Sequence, residues 1–470
     1  MVRQQKHNSV NQLISCMMIF FLLQTFLALS IVVPSTHAQN TSEFGTNILV
    51  NDGTSPYSNQ VEPTLSILST GRILVGWKEA YTHNGPGRRV GFAYSTDNGR
   101  TFSRNILMDP VTSGNYQSDP WLISDQKDVT YFVWIEFNDI SESTNPELIG
   151  VARTTNGGIS WDPPVNAENT PYFDDKETAC IDSNGTIYIV WDHLKTDNLG
   201  NIIEWDLRFT KSVNGTTPFT PTKELELQPF IPYIHCSPND TLYITSVNAT
   251  SPESEQFEFI YFTRSIDLGE TWSTPVLVST VYPEVDLITV LDTDSEEAVY
   301  LAYSAGPPNS RNIYIIKSIN GGITWNTPVK VNDDIQSSNY LRMVEMYIGI
   351  NDTIHVAWLD TRLGEYNIYY SYSEDGGATF SPDEKISEVG FSFSFERPGD
   401  YFCMRQDPVS GDMCIVWTDG RSGEDHDIYF ARQGLNIPPL PPKWPILVGF
   451  SVFIILVIIV LSILVVRKRS

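Results

Sequence analysis

Ser95-Thr-Asp-Asn-Gly-Arg-Thr-Phe102 is the first of six copies of one short motif along the chain. Each copy begins with Ser or Thr, has Asp or Asn two positions later, and ends with Ser, Thr or Pro followed by an aromatic residue. The other copies are residues 154–161, 212–219, 265–272, 318–325 and 373–380. Their first residues are 59, 58, 53, 53 and 55 positions apart. A fixed period of this length indicates one repeated supersecondary unit, here a propeller blade.

The residues of the motif suit a tight turn between two strands. Asp or Asn bonds the backbone of its own turn, Gly permits a positive φ, and the Ser or Thr hydroxyl closes the loop. The terminal Trp or Phe can fold back to pack between strands. In the third copy Thr216 stands where Gly is usual and Pro218 replaces Thr. We interpret all six copies as structural turns rather than as ligand contacts.

A second repeated feature, an apolar strand that often ends in Trp, gives the number of blades. It occurs seven times, at residues 73–77, 131–134, 187–191, 242–245, 299–303, 354–358 and 413–417. The seventh repeat breaks off after its third strand at residues 427–431, and residues 47–52 resemble the outer strands of other repeats. We therefore predict an all-β, seven-bladed propeller of four-stranded blades, closed by an N-terminal strand that removes the exposed edge.

The two ends of the chain predict export and anchoring. Residues 1–38 have the basic start, apolar run and small-residue end of a signal peptide, although the apolar run is long enough for an uncleaved anchor. The propeller domain is predicted at 39–433 and a proline-rich stalk at 434–445. An uncharged transmembrane helix is predicted at 446–466, before a basic cytoplasmic tail at 467–470. This order predicts a single-pass protein with an extracellular N-terminal domain.

Charge and composition narrow the class of partner. The formal net charge is −26, which argues against nucleic acid and anionic membrane surfaces as partners. It permits cationic partners, divalent ions and neutral glycans, although an acidic surface can also serve solubility alone. The seven His residues show no metal-ligand spacing, so we expect no metal and no cofactor.

Four cysteines and six glycosylation sequons lie in the predicted ectodomain. Export permits disulfides, and two pairs are open, Cys180–Cys236 in successive repeats and Cys403–Cys414 on two strands of one hairpin. We favour Cys403–Cys414, because a hairpin can bring its strands face to face. The sequons, which are compatible with a surface glycoprotein, begin at Asn40, Asn184, Asn214, Asn239, Asn248 and Asn351.

The repeated motif resembles the Asp-box, or bacterial neuraminidase repeat, of the sialidase superfamily. The resemblance implies a propeller that binds ligand around its central channel, on the face opposite the motifs. Family sialidases use three arginines for the substrate carboxylate, a Tyr–Glu nucleophile pair and an Asp acid/base. Their Arg-Ile-Pro stretch corresponds here to Val61-Glu62-Pro63-Thr64, which has no arginine. We therefore predict recognition of an extracellular glycan or protein ligand, with an exo-acting, sialidase-like glycoside hydrolase or a structural envelope or adhesion protein as alternatives.

Candidate residues on the channel face fall into two groups. Loops that lead into the inner strands supply the candidates for chemistry, Glu62, Asp119, Arg342, Glu345, Arg397 and Tyr401. Loops after the second strands supply possible ligand contacts, Glu79, Glu136, Asp360, Arg362, Asp419 and Arg421. The spacing Trp-x-Asp-x-Arg-x-Gly recurs at residues 358–364 and 417–423. It predicts structural ion pairs between Asp and Arg. The alternative is one cationic pocket built from Arg342, Arg362, Arg397 and Arg421.

Overall fold

The structure is a computed structural model. It describes residues 44–81, 87–138, 147–170, 173–197, 202–216, 218–227, 230–249, 257–278, 285–307, 310–334, 341–392, 399–423 and 425–435. The predicted signal peptide, transmembrane helix and tail lie outside these residues, as does the stalk beyond Leu435. Among the described residues we find no helix with the length and hydrophobicity of a membrane span.

The described residues form seven antiparallel blades of four strands each. Blade 1 contains β2 (Asn59–Ile67), β3 (Ile73–Ala80), β4 (Arg89–Ser95) and β5 (Ile106–Leu107). Blade 2 contains β6 (Tyr116–Ser124), β7 (Thr130–Phe137), β8 (Glu147–Thr154) and β9 (Val165–Thr170). Blade 3 contains β10 (Phe173–Ile181), β11 (Ile187–Thr196), β12 (Ile202–Ser212) and β13 (Lys223–Leu225). Blade 4 contains β14 (Tyr233–Cys236), β15 (Leu242–Ala249), β16 (Phe257–Ser265) and β17 (Val276–Val278).

Blade 5 contains β18 (Val285–Thr293), β19 (Val299–Ala305), β20 (Asn312–Ser318) and β21 (Val329–Lys330). Blade 6 contains β22 (Leu341–Ile348), β23 (Ile354–Asp360), β24 (Asn367–Ser373) and β25 (Glu384–Lys385). Blade 7 contains β26 (Cys403–Gln406), β27 (Met413–Asp419), β28 (Asp427–Arg432) and, as its outer strand, β1 (Ile48–Leu49). The innermost strands β2, β6, β10, β14, β18, β22 and β26 contact one another in this cyclic order. The prediction of a seven-bladed, all-β propeller is confirmed.

The N-terminal strand closes the ring, as predicted. Ile48 pairs with Phe430 and Leu49 with Tyr429 in an antiparallel ladder. The side chain of Asn51 extends this contact, because its Oδ1 accepts the Ile428 amide at 2.8 Å and its Nδ2 donates to Asp427 at 2.8 Å. The last blade therefore has its full four strands, and its edge is covered.

The hydrophobic core lies between the blades rather than at one centre. Seven clusters of buried apolar residues each join two neighbouring blades. The indole rings of Trp77, Trp134, Trp191, Trp358 and Trp417, all on second strands, are fully buried in this core. Blade-to-blade packing of this kind buries apolar area at every junction of the ring.

The repeated motif joins blades as well as closing its own turn. In the first copy the Asp97 carboxylate accepts the Ser95 hydroxyl at 2.8 Å and the Thr101 amide at 2.9 Å. The ring of Phe102 then packs edge-to-face against Phe430 of blade 7, with centroids 5.4 Å apart. Trp161, Trp272 and Trp325 make the same contact with a Phe of the preceding blade. The structural interpretation of the motif agrees with these contacts.

The favoured disulfide pairing is not supported by the structure. Cys403 lies opposite Val416 and Cys414 lies opposite Arg405, so the two cysteines are diagonal neighbours rather than partners in the ladder. All four described cysteines are free thiols. Cys180 and Cys236 belong to one apolar cluster between blades 3 and 4. The favoured pairing lacks support because diagonal neighbours in a sheet lie roughly 7–8 Å apart, whereas the Cβ atoms of a disulfide lie about 3.8 Å apart.

Candidate functional site

The inner strands begin on the face opposite the repeated motif, and several of them begin with a β-bulge. In β2 the register shifts between Val61 and Thr64, and β6, β10, β18 and β22 have a shift at the same place. Residues with φ between 44° and 55° stand there in five blades, at Glu62, Asp119, Lys176, Ile231 and Met343. A bulge redirects the side chain of its extra residue, so this repeated irregularity builds the channel mouth.

The residues at the bulge position divide the ring into two halves. They are polar in blades 1, 2 and 3, at Glu62, Asp119 and Lys176, and Tyr401 holds the equivalent sequence position in blade 7. They are apolar in blades 5 and 6, at Leu287 and Met343, and Ile231 holds the equivalent position in blade 4. The sevenfold backbone symmetry is therefore broken by the side chains, and one half of the channel mouth concentrates the ionisable groups.

A buried charge cluster occupies the polar half. The ammonium group of Lys176 lies 2.9 Å from Asp119 Oδ1 and 2.8 Å from Asp400 Oδ2. A second ammonium group, that of Lys78, lies 3.2 Å from Glu62 Oε2. Oxygen atoms of Glu62, Asp119 and Asp400 all lie within 4.8 Å of one another. Such a set of oxygens would suit a divalent cation, but Lys176 already bonds two of the three carboxylates.

The carboxyl groups of this cluster have pKa values that diverge. Burial raises the pKa of Glu62 to about 7, despite the opposing attraction of Lys78. Burial also opposes ionisation of Asp119, but Lys176 and Lys78 outweigh it and hold the Asp119 pKa below its usual range. At neutral pH the cluster thus holds one carboxyl near its titration point beside one that is ionised.

A pocket lies beside the cluster. Its lining residues are Asp119, Trp121, Lys176, Glu177, Thr178, Ile231, Pro232, Tyr233, Ile288, Thr289, Glu345 and Tyr401. The Trp121 ring packs edge-to-face against Tyr233 at 5.8 Å and against Tyr401 at 6.4 Å. Its indole Nε1 donates to the Ala179 carbonyl at 2.9 Å. The pocket therefore has a fixed aromatic wall facing carboxyl groups.

Glu177 is the distinctive residue of the pocket. Its side chain is buried, with 3% exposure. Neither carboxyl oxygen is hydrogen-bonded to another of the described residues. Burial, and then the negative charge of Asp119, raise the pKa of Glu177 well above its usual range. A neutral carboxyl group offers one hydrogen-bond donor and one acceptor, and a buried polar group without partners is costly unless something binds it.

The predicted residues for chemistry are partly brought together. Asp119, Glu345 and Tyr401 line the pocket, and Glu62 lies in the adjoining charge cluster. Burial raises the pKa of Glu345 to about 8, against the attraction of Arg405, whose Nη1 lies 3.6 Å from Glu345 Oε2. Arg342 instead shares the Asp286 carboxylate with Arg311, at 3.3 and 2.8 Å. Arg397 lies outside the described residues.

The acidic residues predicted after the second strands serve the blades themselves. Glu79, Glu136, Asp360 and Asp419 are fully buried. Each accepts the indole N–H of the Trp two positions earlier, at 2.8, 3.3, 3.0 and 2.9 Å. The sequence predicted that these carboxylates contact a ligand. The structure corrects that prediction, because the indole N–H groups of Trp77, Trp134, Trp358 and Trp417 already bond them.

Arg362 and Arg421 form ion pairs with two of these buried carboxylates. Arg362 Nη2 lies 2.6 Å from Asp360 and 2.7 Å from Asp383, and its guanidinium lies 4.2 Å from the Tyr369 ring centroid. Arg421 Nη2 lies 2.6 Å from Asp419 and its guanidinium 3.9 Å from the Tyr429 centroid. Together with Arg342, these described arginines bind separate carboxylates and form no common cationic pocket.

Four important residues of the pocket were missed by sequence reasoning: Trp121, Lys176, Glu177 and Tyr233. Their signal was present in the alignment of inner strands, where Ser118-Asp119-Pro120-Trp121 and Asp175-Lys176-Glu177-Thr178 correspond to Val61-Glu62-Pro63-Thr64. The paired registers of β2, β6 and β10 confirm this correspondence.

No protein-family model and no curated protein matches the chain. Among solved structures, a protein of unknown function from Dyadobacter fermentans is 12% identical over 68% of this chain and 95% of that chain, with a TM-score of 0.49. The NanB sialidase of Streptococcus pneumoniae is 14% identical over 83% and 70%, with a TM-score of 0.44. An α-L-arabinofuranosidase of Fusarium graminearum is 10% identical over 83% and 98%, with a TM-score of 0.48. At these values the likeness concerns the fold alone.

Proposed function

We propose that the protein is a carbohydrate-binding propeller whose pocket at the polar half of the channel mouth takes a neutral or amino sugar. The observation that carries the proposal is Glu177, a buried carboxyl group that lines the pocket and has no hydrogen-bond partner among the other described residues. A sugar hydroxyl or amine would satisfy it. Aromatic rings beside a few convergent polar groups are the usual composition of a small-ligand pocket.

The charge of the pocket selects between sugar classes. Its described lining includes Asp119, Glu177 and Glu345 but only one basic residue, Lys176, which bonds Asp119 and Asp400. A carboxylated sugar would find no guanidinium among the described lining residues, and the one ammonium group there is already shared by two carboxylates. A neutral or amino sugar needs no such partner, so the pocket favours these classes over sialic acids.

The proposal is tested by ligand binding to the full-length chain. We expect binding in a panel of neutral hexoses, N-acetylhexosamines, hexosamines and sialylated sugars, measured by calorimetry, to be confined to the first three. Glu177→Ala is expected to weaken affinity at least tenfold, on the order of the loss of a hydrogen bond from a buried group. Glu374→Gln is the matched control, because Glu374 is exposed on the opposite face. Binding limited to sialylated sugars would contradict the proposal.

A second candidate function, exo-acting glycoside hydrolysis, is supported by the Glu62–Asp119 pair. Their pKa values are moved in opposite directions, which is the division expected of a general acid and an ionised partner. The separation of at most 4.8 Å between oxygens is nearer the ~5 Å of retaining glycosidases than the longer spacing of inverting ones. Turnover of a fluorogenic glycoside that is abolished by both Glu62→Gln and Asp119→Asn would establish hydrolysis; binding without turnover leaves the binding function.

We further propose that the domain is displayed at the cell surface by the C-terminal apolar segment at 446–466. The support is the sequence pattern alone: a signal-like N-terminus, a proline-rich stalk, an uncharged 21-residue run and a basic end. Protease treatment of intact cells is the test. We expect it to release the propeller domain and leave a membrane fragment, whereas full protection of the whole chain would contradict surface display.

A further inference from the structure

The second cavity of the channel lies on the far side of Trp121 and Tyr233 from the sugar pocket. It measures about 600 Å³, and both rings line it as well as the pocket. Cys180 in β10 and Cys236 in β14 also line it. The two cysteines belong to one apolar cluster between blades 3 and 4.

We propose that Cys180 and Cys236 form a disulfide that ties blade 3 to blade 4 beneath the pocket. The reaction removes two protons and two electrons from the thiols and joins the sulfur atoms, while a small disulfide such as oxidised glutathione is reduced to two thiols. Cys236 is the more exposed cysteine, since Cys180 is only 4% exposed. Cys236 therefore reacts first with the oxidant to give a mixed disulfide, and Cys180 displaces the small thiol.

The inner strand of blade 4 is short, which gives the cross-link a role. The inner strand β14 has only four residues, whereas β10 and β18 have nine. A covalent bond between β10 and β14 compensates for the shorter ladder.

The position of the bond also connects it to the pocket. Ala179, next to Cys180, accepts the Trp121 indole N–H at 2.9 Å. Tyr233 begins β14, the strand that ends at Cys236, and packs against Trp121. The disulfide would thus fix β10, which bonds the Trp121 indole, to β14, which carries Tyr233. This inference does not depend on what the pocket binds.

Peptide mapping of the full-length chain tests the proposal directly. The chain is equilibrated in glutathione buffers of increasing oxidised fraction, then denatured in the presence of an alkylating reagent and digested. We expect a linked peptide that contains Cys180 and Cys236, with Cys403 and Cys414 alkylated. Alkylation of both Cys180 and Cys236 at every glutathione ratio, or a Cys403–Cys414 peptide in place of the expected one, would overturn the proposal.

Melting temperatures with and without reductant compare a variant that lacks the proposed bond with one that keeps it. Reductant is expected to lower the melting temperature by roughly 5 °C, as for loss of a cross-link that closes a loop one blade long. Cys236→Ser should remove this dependence on reductant, and Cys414→Ser should keep it. Equal dependence in both variants would exclude Cys180–Cys236 as its source. If Cys236→Ser fails to fold, the mapping of the unmodified chain decides alone.

Discussion

Glu62 and Asp119 occupy the same position in the inner strands of adjacent blades, yet their carboxyl pKa values move in opposite directions. Both are buried on bulges of positive φ. The difference comes from their partners: Asp119 receives the Lys176 ammonium at 2.9 Å, while Glu62 has the Lys78 contact at 3.2 Å and two carboxylates nearby. A backbone repeat with sevenfold regularity thus gives two chemically different acids.

The first prediction concerns pH. Burial raises the pKa of Asp175 to about 6, of Glu62 to about 7 and of Glu345 to about 8. The folded chain holds these protons more tightly than the unfolded chain does. The contribution of these carboxyl groups to the free energy of unfolding is therefore fully present below about pH 4 and is lost as pH rises through 6 to 8. The melting temperature should therefore fall between pH 5 and 8.

Substitution identifies the groups responsible for this slope. Glu345→Gln should flatten the upper part of the melting-temperature profile, near pH 8, and Glu62→Gln the part near pH 7. Glu374→Gln, on the exposed surface, should leave the profile unchanged. A melting temperature that rises steadily from pH 5 to 8 would show that these carboxyl groups are not held protonated in the folded chain.

The second prediction removes the lysine of the charge cluster. Lys176→Met leaves the buried carboxylates of Asp119 and Asp400 without the ammonium group that bonds both. We expect a loss of about 3–5 kcal/mol in the free energy of unfolding at pH 7. The loss should shrink at pH 4, because protonation then neutralises the orphaned carboxylates. Lys127→Met, at an exposed turn, is the control. An equal loss at both pH values would mean that Lys176 acts through packing.

The third prediction uses two glycines at the same position of the repeated motif. Gly99 and Gly377 have φ of +81° and +85°, so Ala introduces similar backbone strain at both. A Cβ on Gly99 would lie 2.2 Å from the Phe430 ring, whereas one on Gly377 would meet its nearest neighbour at 3.4 Å. Gly99→Ala should therefore cost about 1–3 kcal/mol more than Gly377→Ala in urea unfolding. Equal costs would argue against the packing of the motif onto the preceding blade.

Sequence reasoning worked where the fold repeats and failed where side chains depart from the repeat. The motif period and the Trp-ending strands predicted the seven blades, and the likeness of residues 47–52 to other outer strands predicted the closure. Lys176 and Glu177 were missed because they lie at a bulge of β10. From there Lys176 reaches Asp119 of blade 2 and Asp400, next to blade 7. Spacing along one blade carries no information about such contacts between blades.

The fourth prediction tests the closure of the ring. Asn51 bonds the Ile428 amide and Asp427 across the junction of the chain's two ends. Asn332 bonds the Ile313 amide at 2.9 Å in the same way within blade 5. Either Asn→Ala change leaves a buried amide unpaired and should cost about 1–3 kcal/mol, while Thr54→Ala on the exposed surface should cost under about 0.5 kcal/mol. An unchanged stability for Asn51→Ala would contradict a closed last blade.

The fifth prediction separates carboxyl groups that hold the fold from those that serve the ligand. Asp419 accepts the Trp417 indole at 2.9 Å and pairs with Arg421, so Asp419→Asn should lower the free energy of unfolding by about 1.5–3 kcal/mol. Its effect on sugar affinity should be negligible. Glu177→Met should do the reverse: it keeps the approximate length of a buried side chain that makes no hydrogen bond to another described residue, so stability is nearly unchanged. Affinity should fall, because the thioether supplies neither the hydrogen-bond donor nor the acceptor that a neutral carboxyl offers. Full affinity in folded Glu177→Met, with loss of affinity in folded Asp419→Asn, would move the binding site from the pocket to the loops after the second strands.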